Sequence, residues 1–245
     1  MNNKKLIKEY FETLDDNEFV TASILYKEKF LNVMTEQNYY KILERLTKEK
    51  TISKVSKGLY KKANKNKYGI IDISEKELIK QFVQNEAGME IGMKLFVDLN
   101  LTTQISKKRK LLSSNINSQT KIINNISVKK VNLRFDSNHK KIITCLEILQ
   151  NYNNVEDFNW IVFVNKLEDF IIGYNDEVFT EVVSNIKYKK KTISFYKMIL
   201  DHYHILNSLN QYLSSLSFYN HPTMEDLFDF TSRQKTISRI NNTNS

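Results

Sequence analysis

The sequence is poor in the residues that interrupt regular secondary structure. Its 245 residues include one proline, Pro222, and only five glycines. Proline removes a backbone hydrogen-bond donor and glycine is common in tight turns, so this composition favours long helices over a turn-rich β architecture. We therefore expect a mainly helical protein with small β elements, in the α+β class.

Cysteine and long apolar runs are scarce as well. Cys145 is the one cysteine, so no intrachain disulfide is possible, and the apolar residues around it are typical of a core position. No stretch of about 18 apolar residues occurs, and the first residues lead into an amphipathic segment rather than a signal-peptide core. We expect a cytoplasmic protein with no membrane partner.

Sequence motifs of common enzymes and cofactor sites are missing. There is no Walker loop, no GxGxxG, no HExxH, no GxSxG and no CxxC pair. The best group of potential metal ligands is Asp201-His202-Tyr203-His204, where the two histidines would point to different sides of a helix. The sequence therefore predicts neither an enzyme nor a metal or cofactor site.

Positive charge is in excess and is unevenly distributed. The net charge of +9 divides into +6 over residues 1–70, +4 over residues 71–130 and −1 over residues 131–245. Contact with phosphate requires a localised basic surface, whereas the alternative is a solvated, lysine-rich surface without a partner. The excess in the first half of the chain favours a nucleic-acid partner there.

Apolar spacing predicts three short helices near the N-terminus. The second helix is expected to begin after Thr21 and to run through Tyr26, and Thr35 can cap the third. The apolar positions of the first helix are Leu6, Ile7, Tyr10, Phe11 and Leu14. Those of the third recur at i, i+3, i+4 and i+7 and are Tyr39, Ile42, Leu43 and Leu46.

A small basic hairpin is predicted after the third helix. From Ile52 the apolar period changes to two, and Lys57-Gly58 turns the chain into residues 59–61. Three helices and such a hairpin are the element order of a winged helix-turn-helix, whose third helix enters the major groove while the wing contacts phosphates. The predicted DNA-contacting residues are Gln37, Asn38, Tyr40, Lys41 and Arg45 of the helix and Lys54, Lys57 and Lys61 of the wing.

The predicted N-terminal domain covers residues 1–70, and the polar residues 64–67 are expected to mark its end. Two further segments follow it. Residues 71–135 are predicted to form a small α+β domain, with a close-packed helix rich in small residues at 87–93 and strands at 107–112, 121–126 and 128–135. Residues 136–245 have helical spacing, with a long last helix over 195–213 and no apolar period after residue 231. We expect a helical C-terminal bundle with a frayed end.

Two stretches of the sequence resemble a known family. Residues 50–60, KTISKVSKGLY, are similar to the wing of the bacterial abortive-infection AbiEi-like antitoxins. Residues 88–92 together with LNLTTQ at 99–104 resemble the helix and the LTTQ turn of that family's second domain, and the similarity covers roughly residues 1–135. The family pattern often has a proline one position after Ile105, where this chain has Ser106.

The resemblance implies a function with two parts. Such antitoxins act as transcriptional repressors of their own toxin-antitoxin operon by binding inverted repeats in its promoter. They also counter a nucleotidyltransferase-like toxin in abortive infection, a form of phage defence. In these type IV systems no stable complex with the toxin is required, so the implied partners are double-stranded DNA and, functionally, that toxin.

Other interpretations stay open at this point. A winged-helix plasmid replication initiator or an unrelated regulator would have the same N-terminal pattern, and an RNA-binding module is a third class, although the RRM aromatic motif is absent. Two basic runs are also unassigned. Residues 107–110, KKRK, are candidates for a supplementary phosphate contact, and residues 187–191, KYKKK, are more typical of a solvated helix junction.

Overall fold

The computed structural model describes residues 2–15, 18–66, 69–70 and 73–243. The chain separates into two compact units, Met1–Gln81 and Phe82–Ser245. Its secondary structure is mixed and mainly helical, with small sheets, which agrees with the expected α+β class. In the described ranges, no helix combines the length and the hydropathy needed to cross a bilayer.

The first unit contains short helices and short strands. Its helices are α1 (Asn3–Glu12), α2 (Ala22–Leu25), which continues as a π-helical turn (Tyr26–Phe30), α3 (Glu36–Lys48) and α4 (Glu75–Val83). Its strands are β1 (Phe19–Thr21), β2 (Ile52–Ser56), β3 (Leu59–Lys62), β4 (Lys65–Asn66) and β5 (Gly69–Ile70). The sequence predicts that the first domain ends near residues 64–67, but the first unit continues to Gln81. Lys67 lies outside the described residues.

Strand β3 is the central strand of a three-stranded antiparallel sheet. Tyr60 lies opposite Val20 of β1 on one side and opposite Lys54 of β2 on the other. The predicted hairpin of β2 and β3 is confirmed, and its turn has Gly58 at φ +74°, a conformation that favours glycine. Strand β1 has no counterpart in the sequence prediction, because three residues are too few to display an alternating pattern.

One apolar cluster holds the first unit together. It combines Ile7 and Phe11 of α1 with α3 and with Ile52 of β2. The buried residues of α3 are Tyr39, Ile42, Leu43 and Leu46, each at most 4% exposed. This confirms the predicted apolar stripe of the third helix, and burying each such side chain contributes about 1.5–3 kcal/mol.

The second unit contains a sheet and most of the helices. Its strands are β6 (Gly88–Ile91), β7 (Arg109–Ser113), β8 (Thr120–Ile123) and β9 (Ile126–Lys130). The helices are α5 (Met93–Asp98), α6 (Ser137–Asn151), α7 (Trp160–Asn165), α8 (Leu167–Ile171), α9 (Asp176–Asn185), α10 (Lys190–His202) and α11 (Met224–Thr243). The sheet order is β6-β7-β9-β8, with β7 and β9 parallel and the other pairs antiparallel. The three predicted strands correspond to β7, β8 and β9 with shifted bounds.

Helix α6 is the centre of the second unit. Asp136 caps it by accepting the N–H of His139 at 3.0 Å, and every residue from 142 to 149 is buried. Its core extends to Leu112 of β7 and to Val131 and Phe135 beyond β9. Residues 82–135 and 136–245 therefore share one core, whereas the sequence predicts a domain boundary at 135/136. The apolar face of a four-stranded sheet needs a cover, and α6 supplies it.

The small residues near Gly88 have a different role from the predicted one. Instead of a close-packed helix at residues 87–93, the chain forms strand β6, which pairs with β7. A Cβ atom on Gly88 would lie 2.3 Å from the carbonyl oxygen of Leu112 and 2.5 Å from that of Phe82. The close backbone approach expected from the small residues is present, but it occurs within a sheet.

Two predictions for the C-terminal part are wrong. The predicted helix over 195–213 ends at His202, because His204 adopts φ +56° and the Ile205 N–H donates back to the Leu200 carbonyl at 2.9 Å. Residues 231–243 of the segment predicted to be frayed belong instead to α11, and Thr231 is buried. Asn244 and Ser245 lie outside the described residues.

The contacts at Gly88 predict a steric cost for the smallest added side chain. We expect Gly88→Ala to lower the free energy of unfolding by about 1–3 kcal/mol, because both nearest atoms belong to backbone that cannot move alone. Urea denaturation measures this change. Asn117→Ala, at an exposed position between β7 and β8, is the control, and equal stability of the Gly88→Ala variant and the wild type would contradict the close approach.

Candidate nucleic-acid surface

Helix α3 has fixed ends and therefore a fixed outward face. Thr35 Oγ1 accepts the N–H of Asn38 at 3.4 Å, which confirms the predicted cap, and Glu36 lies in the first turn, where a carboxylate interacts favourably with the helix dipole. Beyond the other end, Lys4 Nζ of α1 lies 2.6 Å from Glu49 Oε1. Since the apolar stripe faces the core, the polar positions of α3 face outward.

Seven of the eight residues predicted to contact DNA are exposed. They come from two elements, the outward face of α3 and the hairpin of β2 and β3. The exposed residues are Gln37, Asn38, Tyr40, Lys41, Arg45, Lys54 and Lys57. The structure therefore leaves these side chains accessible, in the arrangement that the helical and strand periods predict.

Lys61 is the exception and corrects the predicted set. It is 2% exposed, on the central strand β3, opposite Phe19 of β1 and Ser53 of β2. Alternate residues of a strand share a face, so Lys61 lies on the same side as the buried Leu59. Its ammonium group is not available to phosphate in this structure, because Lys61 lies on a buried face of β3.

Charged side chains are exposed on the helix and on the hairpin beside it. Lys48 Nζ lies 2.7 Å from Glu44 Oε1, and this contact lowers the pKa of the Glu44 carboxyl, with smaller contributions from Arg45 and Lys54. Strand β2, which contains Lys54, contacts α3, so the hairpin lies beside the helix. With Lys41 also exposed, positive charge exceeds negative charge on this surface.

Two tyrosines lie along the junction between the helix and the hairpin. The Tyr40 ring is 36% exposed and meets the buried ring of Tyr39 edge-on, with 5.4 Å between centroids. On β3, burial raises the pKa of Tyr60, and Tyr40 and Glu44 raise it further, which places all three groups near one another. An exposed tyrosine here offers a ring and a hydroxyl to a partner.

The LTTQ motif, which contributed to the resemblance, connects distant parts of the second unit. The Thr102 hydroxyl donates to Asp157 Oδ1, and the Thr103 hydroxyl donates to Oδ2 at 2.8 Å. The Asn159 N–H donates to the Leu101 carbonyl at 2.8 Å, and Gln234 of α11 accepts the N–H of Trp160 at 2.8 Å. These groups line a cavity of about 410 Å³, but they bond to one another, so we interpret the motif as structural.

Groups with potential chemical reactivity are accounted for by packing. Cys145 is fully buried, as predicted, and burial raises the pKa of its thiol. Asp201 bonds to Lys197 and accepts the side-chain N–H of Asn207 at 2.9 Å. Within the part of the chain that the structure describes, no group of three His, Cys, Asp or Glu side chains could hold a metal ion.

Comparisons with known proteins give little similarity. No protein-family model matches the chain, and no curated protein matches it. Among solved structures, the RV2827C protein of Mycobacterium tuberculosis is similar at 11% sequence identity and a TM-score of 0.38, over 80% of this chain and 75% of that one. Similarity at this level assigns neither a family nor a function to the chain.

The bonds to Asp157 predict a pH-dependent contribution to stability. The hydroxyls of Thr102 and Thr103 lower the pKa of Asp157 below its ordinary 3.8, so its carboxylate stabilises the fold above that pH and loses the effect as pH falls through the lowered pKa. Asp157→Asn should therefore be less stable than the wild type at neutral pH, with the difference shrinking in acid.

Urea denaturation at neutral pH and at several acid pH values measures this difference. Thr102→Val removes one donor and should move the loss of stabilisation to higher pH, which separates the hydrogen bond from a general effect of substitution. A stability difference of the same size at every pH would contradict the assignment.

Proposed function

We propose that the protein is a DNA-binding transcriptional autorepressor and the antitoxin of a type IV toxin-antitoxin system. In this proposal residues 1–70 form a winged helix-turn-helix, with α3 as the recognition helix and the hairpin of β2 and β3 as the wing. The element order α1, β1, α2, α3, β2, β3 supports this, because the helices α2 and α3 are followed by a hairpin with a two-residue turn.

The observation that carries the DNA-binding part is the shared surface of α3 and the hairpin. Asn38 and Lys41 occupy the first half of a capped, outward-facing helix, and Lys54 and Lys57 extend the same positive region onto the strands. An α-helix fits the major groove of B-DNA, where amide and ammonium groups read base edges, while lysines beside the helix reach phosphates. This division of roles follows from the geometry of the duplex.

The antitoxin part is assigned to the second unit. Its support is the resemblance in residues 88–92 and 99–104 and the separation of residues 82–245 into a compact unit with its own core. Two activities in two units allow promoter binding and toxin neutralisation to be lost independently. The proposed toxin is a nucleotidyltransferase-like protein encoded directly beside this gene, and no stable complex with it is required.

The DNA-binding proposal predicts opposite behaviour for a helix lysine and a wing lysine. Lys41→Ala should cost about 1–3 kcal/mol of binding free energy on the native promoter and little on random DNA, because a base contact is lost. Lys57→Ala should weaken both DNAs similarly and reduce the salt slope by about one unit, because a phosphate contact is lost. Fluorescence anisotropy titrations over a range of salt concentrations measure both effects.

Two control variants accompany this comparison. Lys8→Ala removes an exposed lysine of α1 and should leave affinity and salt slope unchanged. Lys61→Ala removes a buried lysine and should lower the stability of the protein. It should not change the salt slope of binding to either DNA. If Lys41→Ala weakened both DNAs equally while Lys57→Ala lost only promoter binding, the helix and the wing would have exchanged roles.

The antitoxin proposal predicts that neutralisation survives the loss of DNA binding. A full-length chain carrying Lys41→Ala and Lys57→Ala should still restore growth when it is expressed from an unrelated promoter together with the neighbouring toxin. Colony counts with and without toxin induction measure this rescue. Growth arrest despite normal levels of the folded variant would show that the two activities are not separable. If the wild-type chain also failed to restore growth, the antitoxin proposal would be wrong.

A further inference from the structure

A cavity in the second unit is lined by two lysines of the first unassigned basic run, and the second run contacts one of its other lining residues. Its volume is about 460 Å³, and it lies between β6, the start of α5, the segment before β7 and the last turn of α6. Lys108 and Lys110 of the first run line it and are exposed. The second run adjoins the same helix, because the Lys189 N–H donates to Gln150 Oε1 at 3.0 Å and Gln150 also lines the cavity.

A buried carboxyl group forms part of the cavity wall. Glu147 of α6 is 7% exposed, and Asn151 Nδ2 donates to its backbone carbonyl at 2.9 Å and approaches its Oε2 at 3.4 Å. The Tyr188 hydroxyl lies beside this carboxyl without good hydrogen-bond geometry. Burial raises the pKa of Glu147, while Tyr188, Lys110 and Lys129 oppose the rise. A buried carboxyl requires hydrogen-bond donors, and Glu147 is one of the residues that line the cavity.

Arg109, by contrast, is not available to a ligand. It points away from the lysines that flank it in sequence and bonds to Glu90 on β6 through two nitrogens, with Nη2 at 2.7 Å from Oε2. Side chains of adjacent strand residues point to opposite faces, so the run KKRK is divided. Lys108 and Lys110 are left at the cavity, and Arg109 is part of the sheet.

The remaining walls supply apolar surface and amides. Ile91, Met93, Phe96 and Val155 form the apolar part, and Phe96 is 1% exposed. The side chains of Gln150, Asn151 and Asn154 add amide donors and acceptors. A ligand that matches all of these groups has an anionic end for the lysines, a ring with an apolar face and edge N–H groups for the carboxyl and amides.

We propose that this cavity binds a nucleoside phosphate, either as a free mononucleotide or as one nucleotide of an RNA strand. The phosphate would lie at Lys108 and Lys110, and the base would lie against Met93 and Val155 with its edge toward Glu147. The volume is within the range of about 300–1,000 Å³ typical of small-molecule sites. The proposal is independent of promoter binding, since it uses none of the residues of α3 or the hairpin.

Isothermal titration calorimetry on the full-length protein tests this proposal. The probes are the four ribonucleoside monophosphates, ribose 5-phosphate, inorganic phosphate and a short single-stranded RNA. At least one monophosphate or the RNA should bind, and the Lys108→Ala/Lys110→Ala double variant should weaken binding by about tenfold or more. Glu147→Gln should alter the preference among the four bases, because the side-chain amide presents a fixed N–H donor in place of a carboxyl oxygen.

The controls separate this site from general attraction to phosphate. Lys166→Ala removes a lysine that does not line the cavity, and Lys41→Ala/Lys57→Ala removes the proposed DNA contacts; both should bind the nucleotide normally. Competition between the RNA and the monophosphate identifies which source the cavity accepts. Equal binding of inorganic phosphate, ribose 5-phosphate and nucleotides, no binding of any probe, or unchanged binding by the folded double lysine variant would overturn the proposal.

Discussion

Burial of one stripe of helix α3 is the constraint on which the proposed DNA surface depends. With Tyr39, Leu43 and Leu46 fully buried, the helix cannot rotate without exposing large apolar side chains, each of which contributes about 1.5–3 kcal/mol when buried. The outward positions are therefore fixed by the inward ones. The cap at Thr35 fixes where the helix begins, and the neighbouring hairpin extends the basic surface beyond its face.

In the second unit, burial also fixes the orientation of a helix, but there it places a carboxyl group in the interior. Helix α6 is surrounded by sheet and helices, so nearly every position in its middle is buried and even Glu147 lies in the interior. A charged residue at such a position needs compensating groups, and these come from elements far apart in sequence: β7, β9 and the segment before α10. The same packing that builds the core thus assembles the polar cavity.

The apolar faces of the helices were predicted best, because they depend on residues close together in sequence. The stripe of α3, its Thr35 cap and the Lys57-Gly58 turn all follow from local spacing and local backbone preference, and the structure contains them. The helix predicted over 195–213 shows the limit of this reasoning. Apolar residues continue at helical spacing past His202, but a left-handed residue at His204 ends the helix. Periodicity indicates a face and not the position of a backbone break.

The sequence by itself determined the excess of positive charge in the first half of the chain, the apolar faces of its helices and the hairpin that follows α3. Tertiary structure decided which charged groups reach the surface. Lys61 lies on a buried face of the central strand β3, and the pairing of β6 with β7 lets Arg109 bond to Glu90. Tertiary structure also brought residues 107–110 and 187–191 to one helix. The physical reason is that charge is a property of each residue, whereas its burial and its partners depend on contacts between segments distant in sequence.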